Sequence, residues 1–288
     1  MKLSLESYVL REKFGDLEGL RLIRDAGFDC VDMSYYWTAE GSELLGEGYC
    51  EYARGLRKHL DAIGLECNQA HAPFDLRYGE EFDCANPRYR AIVRSIESAS
   101  ILGAKAIIVH SIWHPSDGRI VFDREYNLKF YQSLLPFCEK FGICVAVENL
   151  FAHDKKRKYH AGLLGTPAEL LAFIRDLNSP YFVGCVDVGH AALTGNEPED
   201  FLRGMDETLL KAVHVQDGDF LADRHVLPFL GDFRWAEIMK ALKEKHYEGE
   251  LTFEIFKYLS GFPKEMLPEA LRLAERCGRY LISIFDRA

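Results

Sequence analysis

Short apolar runs rich in β-branched residues recur along the chain, each giving way to a polar or helical stretch, and they read as buried strands. They lie at Lys2 to Glu6, Cys30 to Tyr35, Leu65 to His71, Ala106 to His110, Ile143 to Glu148, Phe182 to Asp187, Ala212 to Val215 and Leu251 to Ile255. Between them apolar residues return at three- and four-residue spacing. That spacing predicts helices over Asp16 to Ala26, Cys50 to Ile63, Arg88 to Leu102, Tyr126 to Phe141, Pro167 to Leu177, Trp235 to Lys245 and Lys264 to Phe285. Thr166, Pro167 and Glu169 form a capping-box signature with proline in the first turn. Gly27, Gly64, Gly103 and Gly142 each stand between a helical pattern and a strand, where a left-handed C-terminal cap is wanted.

Eight such units place the chain in the α/β class, and they close most naturally as a (β/α)8 TIM barrel whose working face is the C-terminal end of the strands. A doubly wound open sheet is the alternative, but no GxGxxG follows the first strand. No linker, low-complexity tract or longer repeat divides the chain, so residues 1–288 are read as one barrel domain. With 48% hydrophobic and 28% charged residues it can bury a core of that size.

Ligand-type side chains close four of the runs: Glu148 in ICVAVEN, Asp187 in YFVGCVD, His214 in LKAVHVQD and Glu254 in GELTFEI. His71 and His110 stand at the ends of the third and fourth strands. Any one of these groups alone is readily explained as a buried polar residue satisfied by hydrogen bonds. Four in succession at one barrel end would repel one another without a cation. A neutral imidazole among carboxylates makes a hard, mostly oxygen site suited to Mn2+, Mg2+, Co2+ or a similar ion, with positions left for substrate or water. The absence of thiolate from this set disfavours a structural zinc.

The segments VEN at Glu148, DVGH from Asp187 to His190, HVQD from His214 to Asp217 and FEIF around Glu254 resemble the successive ligand motifs of the xylose isomerase-like barrel superfamily. This superfamily includes sugar isomerases, ketose 3-epimerases, inosose-processing enzymes and the endonuclease IV family, and the resemblance spans nearly the whole chain. In its isomerase and epimerase branch the resemblance implies that Glu148, Asp187, His214 and Glu254 bind one divalent ion (Mn, Mg, Co or Zn). It further implies that Glu148 and Glu254 serve as acid and base on a small sugar, polyol or sugar phosphate. The physical case agrees: metal chelation acidifies the C–H beside an α-hydroxy carbonyl and stabilises the enediolate, while a carboxylate on each side moves the proton. His190 matches a histidine that touches substrate oxygens in the sugar-processing relatives. Asp154 lies where ketose epimerases carry a substrate-binding glutamate, one carbon shorter. Asp223-Arg224-His225, followed by Gly231, departs from the close histidine-to-arginine spacing of the ketose 3-epimerases.

The competing expectation comes from the nuclease branch. His71, His110, Glu148, Asp187, His190, His214, Asp223, His225 and Glu254 line up with the ligands of a three-zinc endonuclease IV site, which activates hydroxide and clamps a phosphodiester in abasic DNA. Against it, Phe74-Asp75-Leu76 and HVQDGDFLAD put acids where DNA would lie, and ADRHVLPFLGDFRW resembles the loop of sugar-phosphate isomerases. The expected reading is therefore a carbohydrate isomerase or epimerase, with His71, His110, His190, Asp223 and His225 touching substrate, or holding additional zinc if the nuclease reading prevails.

A net charge of -10 works against nonspecific binding to nucleic acid. The one basic run, Lys155 to Lys158, is either a solvated loop or a phosphate-gripping lid. Trp113, after the fourth strand, either stacks on a sugar face or plugs the rim. MKLSLESYVLREKFGD lacks the apolar core of a signal peptide, and no run approaches the ~20 apolar residues of a membrane span, so a soluble, cytoplasmic protein is expected. The eight cysteines contain no CxxC, and those in strands, such as Cys144 and Cys185, are read as reduced packing residues. Oligomeric state is left open.

Overall fold

The computed structural model describes residues 1–36, 46–116, 119–154, 156, 158–162 and 164–288. Eight parallel strands close into a barrel: β1 (Leu3–Glu6), β2 (Cys30–Ser34), β3 (Glu66–His71), β4 (Ala106–Val109), β5 (Cys144–Glu148), β6 (Phe182–Asp187), β7 (Leu210–Val215) and β8 (Leu251–Phe253). Each strand pairs with its neighbours in chain order, and β8 returns to β1 through Leu3↔Leu251, Ser4↔Thr252 and Leu5↔Phe253. The helices that return the chain are α1 (Asp16–Ala26), α2 (Tyr49–Ile63), α3 (Pro87–Leu102), α4 (Arg124–Phe141), α5 (Pro167–Leu177), α6 (Pro198–Gly204), α7 (Trp235–Glu244) and α8 (Leu267–Arg287).

The punctuation behaves as expected. Thr166 and Glu169 complete the capping box of α5, and Gly27, Gly64, Gly103 and Gly142 sit at positive φ as left-handed C-caps. The differences are local. The last helix opens with a 3-10 turn at Lys264–Met266, so its α segment starts at Leu267, just before Pro268. Helix α6 and the short helices Tyr8–Phe14, Val188–Leu193 and Phe256–Ser260 carry too few turns to show a repeating apolar pattern. Among the described residues no helix is long and apolar enough to cross a membrane.

Strand alternation decides what faces the barrel axis. Inward files run Ala106–Ile108 on β4, Ala146–Glu148 on β5, Val183–Cys185–Asp187 on β6 and Ala212–His214 on β7, and the lower, apolar members pack together as one small cluster. The interior therefore passes upward from small apolar side chains to ionisable ones at the C-terminal rim. An extra residue on β3, where Val31 pairs with Cys67 but Asp32 with Gln69, turns both Asn68 and Gln69 toward the axis. The main core lies outside the barrel wall, between strands and helices.

Two antiparallel hairpins rise from the C-terminal side. One pairs His114–Ser116 with Arg119–Val121, the other Phe151–His153 with Tyr159–Ala161. Lys155 and Arg157 of the basic run lie outside the described residues, and Lys156 and Lys158 are exposed. Cys144 is only partly buried, whereas Cys185 is fully buried; all eight cysteines are free.

Candidate metal centre and cavity

Glu148, Asp187, His214 and Glu254 end four successive inward files, and the structure brings them together. One donor atom from each lies within 4.8 Å of the others, and all four are buried. Glu148 is the hub. Its Oε1 is 2.7 Å from His214 Nδ1, and its Oε2 is 2.7 Å from His110 Nε2 but without the alignment of a hydrogen bond. His71 donates from Nδ1 to the Ala72 carbonyl at 2.9 Å, which turns its Nε2 toward His110 Nε2, 3.0 Å away. Two imidazole nitrogens and a carboxylate oxygen thus converge at a second point.

Asp187 caps the helix Val188–Leu193 by accepting from His190 N at 2.7 Å, and both its oxygens accept from Gln216 Nε2 at 3.1 and 3.0 Å. Gln216 in turn accepts the His225 backbone N–H at 2.7 Å, tying the β7 loop to the β6 end. A side chain at Gly189 would meet Gln216 at 2.5 Å, so only glycine admits this contact. His190 Nδ1 binds the Asn149 carbonyl (3.0 Å) and His225 Nδ1 the Glu254 carbonyl (3.0 Å), leaving both Nε2 atoms facing Asp223 at 4.0 and 2.9 Å. These three make a third potential ligand group. The loop bearing Asp223 and His225 is pinned by Asp217, which accepts from Phe229 N, Phe233 N and Trp235 Nε1.

Sequence reasoning missed the groups that orient these side chains. Tyr36 donates to Glu254 Oε1 at 2.5 Å. Asp32 lies 3.2 Å from His214 Nε2 and accepts from Gln69 Nε2 at 2.8 Å. His214 therefore offers Nδ1 to the acid cluster while its other nitrogen is held by a carboxylate, the arrangement that fixes the tautomer of metal-binding histidines. Glu6, at the end of β1, is fully buried with one oxygen unpartnered. Asp154, by contrast, accepts from Lys156 N and Lys158 N and organises its hairpin turn rather than the cavity wall.

The carboxyls of the two glutamates are shifted in opposite directions. Burial raises the Glu148 carboxyl, but the charge and hydrogen bond of His214 and the close approach of His110 outweigh it and hold it well below the ordinary carboxylate range. At Glu254 burial prevails, helped by Glu148 and Asp187 against His214 and His225, and its carboxyl is raised. His71 is pushed well down by burial and by His110, so it is a neutral ligand-type imidazole. His225 overcomes burial through Asp223 and Glu254 and rises to about 9.

These residues fit a divalent cation. Four buried acids and imidazoles share one point, and the buried Glu148 Oε2 has no aligned donor. Above them opens a cavity of about 320 Å³, lined largely by carbon, with Tyr8, Tyr36, Trp113 and Phe122 among its walls and His71, His110, His190, Asp223, His225 and Glu254 at its floor. Trp113 stands on the rim, 49% exposed.

Comparison with known proteins accords with this architecture. The model of the xylose isomerase-like TIM barrel family matches residues 20–277. The uncharacterized protein MJ1311 of Methanocaldococcus jannaschii is 26% identical over 246 residues, covering 81% of this chain and 76% of its own. A D-tagatose 3-epimerase-like protein superposes with a TM-score of 0.75 at 22% identity, over 100% of this chain and 99% of the other. The IOLI protein with a bound zinc atom superposes with a TM-score of 0.69 at 16% identity, over 100% and 99%. At these identities the likeness to solved structures establishes the fold, and the family match establishes more: the chain belongs to the xylose isomerase-like TIM barrel family.

Proposed function

We propose that this protein is a divalent-metal-dependent isomerase or epimerase of a small sugar, polyol or sugar phosphate. The observation that carries the reading is the convergence of Glu148, Asp187, His214 and Glu254 at the base of a half-open cavity of small-molecule size, whose floor Glu254 lines. The epimerase-like and zinc-bound neighbours are consistent with it. When bound by those four residues, a divalent ion would supply Lewis acidity to an α-hydroxy carbonyl.

The chain's own groups divide the remaining work. Glu254, with its raised carboxyl, is the better proton carrier, and Tyr36 fixes one of its oxygens so that the other faces His214 and His225 at 3.6 and 3.5 Å. Glu148 stays ionised among its histidines and serves first as a ligand and then as the opposing carboxylate. His190 and His225 hold substrate hydroxyls, and the aromatic walls exclude water.

The test is elemental analysis of the purified protein together with proton NMR in D2O on a panel of ketoses, aldoses and inososes. We expect about one ion per chain and metal-dependent deuterium incorporation beside the carbonyl of at least one panel class. A metal-replete protein that exchanges no such proton sinks the reading.

A second reading is favoured by one observation: His71, His110 and Glu148, and separately His190, Asp223 and His225, are also assembled as ligand groups. Three ions there would suit phosphodiester cleavage in abasic DNA. Close to three tightly held zinc ions, with incision of an abasic duplex, would favour it over the isomerase. The hairpins around the cavity weigh against a duplex reaching the floor.

A further inference from the structure

Four of the six ligand-type residues at the strand ends are followed two or three positions later by an aromatic one that lines the cavity: His71 by Phe74, His110 by Trp113, Glu148 by Phe151 and Glu254 by Phe256. The strand ends thus build two storeys, with ionisable groups at the rim and rings one step farther out. The contacts between storeys are direct. Phe74 stacks on His110 with centroids 5.2 Å apart, Phe151 meets His190 at 5.1 Å, and Phe256 meets His225 at 4.1 Å. Phe122 and Leu150 fill the wall between them, and Ser111 and His153 are polar interruptions. Ser111 is already engaged with Tyr131.

A ligand that reaches the floor therefore has one polar end and one carbon-lined end. A free sugar presents hydroxyls all round. Each hydroxyl stripped of water against these rings without a new partner weakens binding by roughly ten- to a hundredfold. Resting on the isomerase or epimerase reading above, we infer that the substrate is an amphiphilic sugar. Its hydroxy-carbonyl end sits on the ligand floor, and its far end carries an apolar substituent that packs against Phe74, Trp113, Phe151 and Phe256. The half-exposed Trp113 lets that substituent extend toward the mouth, so a ring or short alkyl group fits better than a second polar unit.

The experiment is isothermal titration of the manganese-reconstituted protein with D-fructose, 6-deoxy-D-fructose, 6-O-phenyl-D-fructose and D-fructose 6-phosphate. Affinity is expected to rise about tenfold from fructose to its deoxy analogue and again to the phenyl ether, with a more negative heat-capacity change at each step. Trp113→Ala should narrow the preference for the phenyl ether over fructose by about tenfold. Fructose binding as tightly as the deoxy and phenyl compounds, or the phosphate outranking the phenyl ether, overturns the inference while leaving the isomerase reading standing. If none of the four binds, the inference is overturned, while the isomerase reading still stands or falls by the deuterium-exchange panel.

Discussion

The floor and the wall of the cavity are made by the same strand ends yet obey different physics. The floor and the cluster beneath it are ionisable and buried: Glu148, Asp187, His214 and Glu254 bring donor atoms within 4.8 Å of one another and are held from behind by Asp32, Gln69, Gln216 and Tyr36. The wall is apolar, partly exposed, and carried by loops and hairpins. Errors in the floor leave uncompensated charge in a low-dielectric site, whereas errors in the wall lose only contact area. The proposed chemistry is thus concentrated where change is least tolerated, and the proposed selectivity where change costs least.

The sharpest way to break the floor is to neutralise its proposed proton carrier. Glu254→Gln keeps shape and burial, and should lower turnover by about 10³-fold while the protein retains most of its metal. Glu148→Gln should lose metal as well as turnover, because it removes the hub shared by His110 and His214. Side-by-side metal content and turnover of the two variants check the asymmetry. Equal metal loss in both would show that their different environments do not divide their roles.

Glu6 tests the floor from the stability side. Burial, opposed by the Tyr8 backbone and reinforced by Glu254 and Asp32, pushes its carboxyl up to about 8. The folded protein therefore holds a proton that the unfolded chain releases near its ordinary value, so the group costs stability progressively as pH rises from about 4.5 to about 8 and uniformly above that. Glu6→Gln removes the penalty. It should raise stability at pH 9 by on the order of 3 kcal/mol and leave it nearly unchanged at pH 4.5. Denaturant unfolding of chelator-treated protein at the two pH values measures this, and an equal effect at both would assign Glu6 a proton-independent packing role.

How much of this was legible in the sequence follows the same division. The barrel and the four converging residues were readable because strand alternation and strand termini are local: a carboxylate ending an apolar run in a parallel barrel has to face the working end. Asp32 was hidden because it sits within a strand pattern and acts across the barrel on a residue 182 positions away. Tyr36 stands just past β2 with no neighbouring acid to mark it, and its partner Glu254 is 218 positions distant. Asp154, the shortened acid at the epimerase glutamate's position, is the opposite case, a side chain consumed by its own turn. The aromatic spacing after His71, His110, Glu148 and Glu254 was present in the sequence, but its meaning needs the ring of strand ends that brings the four aromatics to one cavity.

Asp32 offers a milder perturbation of the floor. With Asp32 removed, His214 Nε2 loses its carboxylate and the ring loses its fixed orientation. Asp32→Ala should weaken metal affinity by about 10–100-fold, with Asp32→Asn between it and the parent. Competition with a chromophoric chelator reads the affinity directly. A drop in unfolding temperature with unchanged affinity would reassign Asp32 to the interior hydrogen-bond network with Gln69 alone.

Tyr36 joins the two regions and separates them in one position. Its hydroxyl belongs to the floor, through Glu254, while its ring belongs to the wall, meeting His71 at 4.6 Å, Phe74 at 5.6 Å and Phe256 at 6.2 Å. Burial and the nearby Glu254 keep the phenol protonated, so it acts as a fixed donor. Tyr36→Phe retains the ring and frees one Glu254 oxygen, which should lower kcat by about tenfold with little change in KM. Tyr36→Ala removes both, so KM should rise as well. If Phe raises KM as much as Ala does, the hydroxyl binds substrate in the ground state instead of holding Glu254 for the transition state.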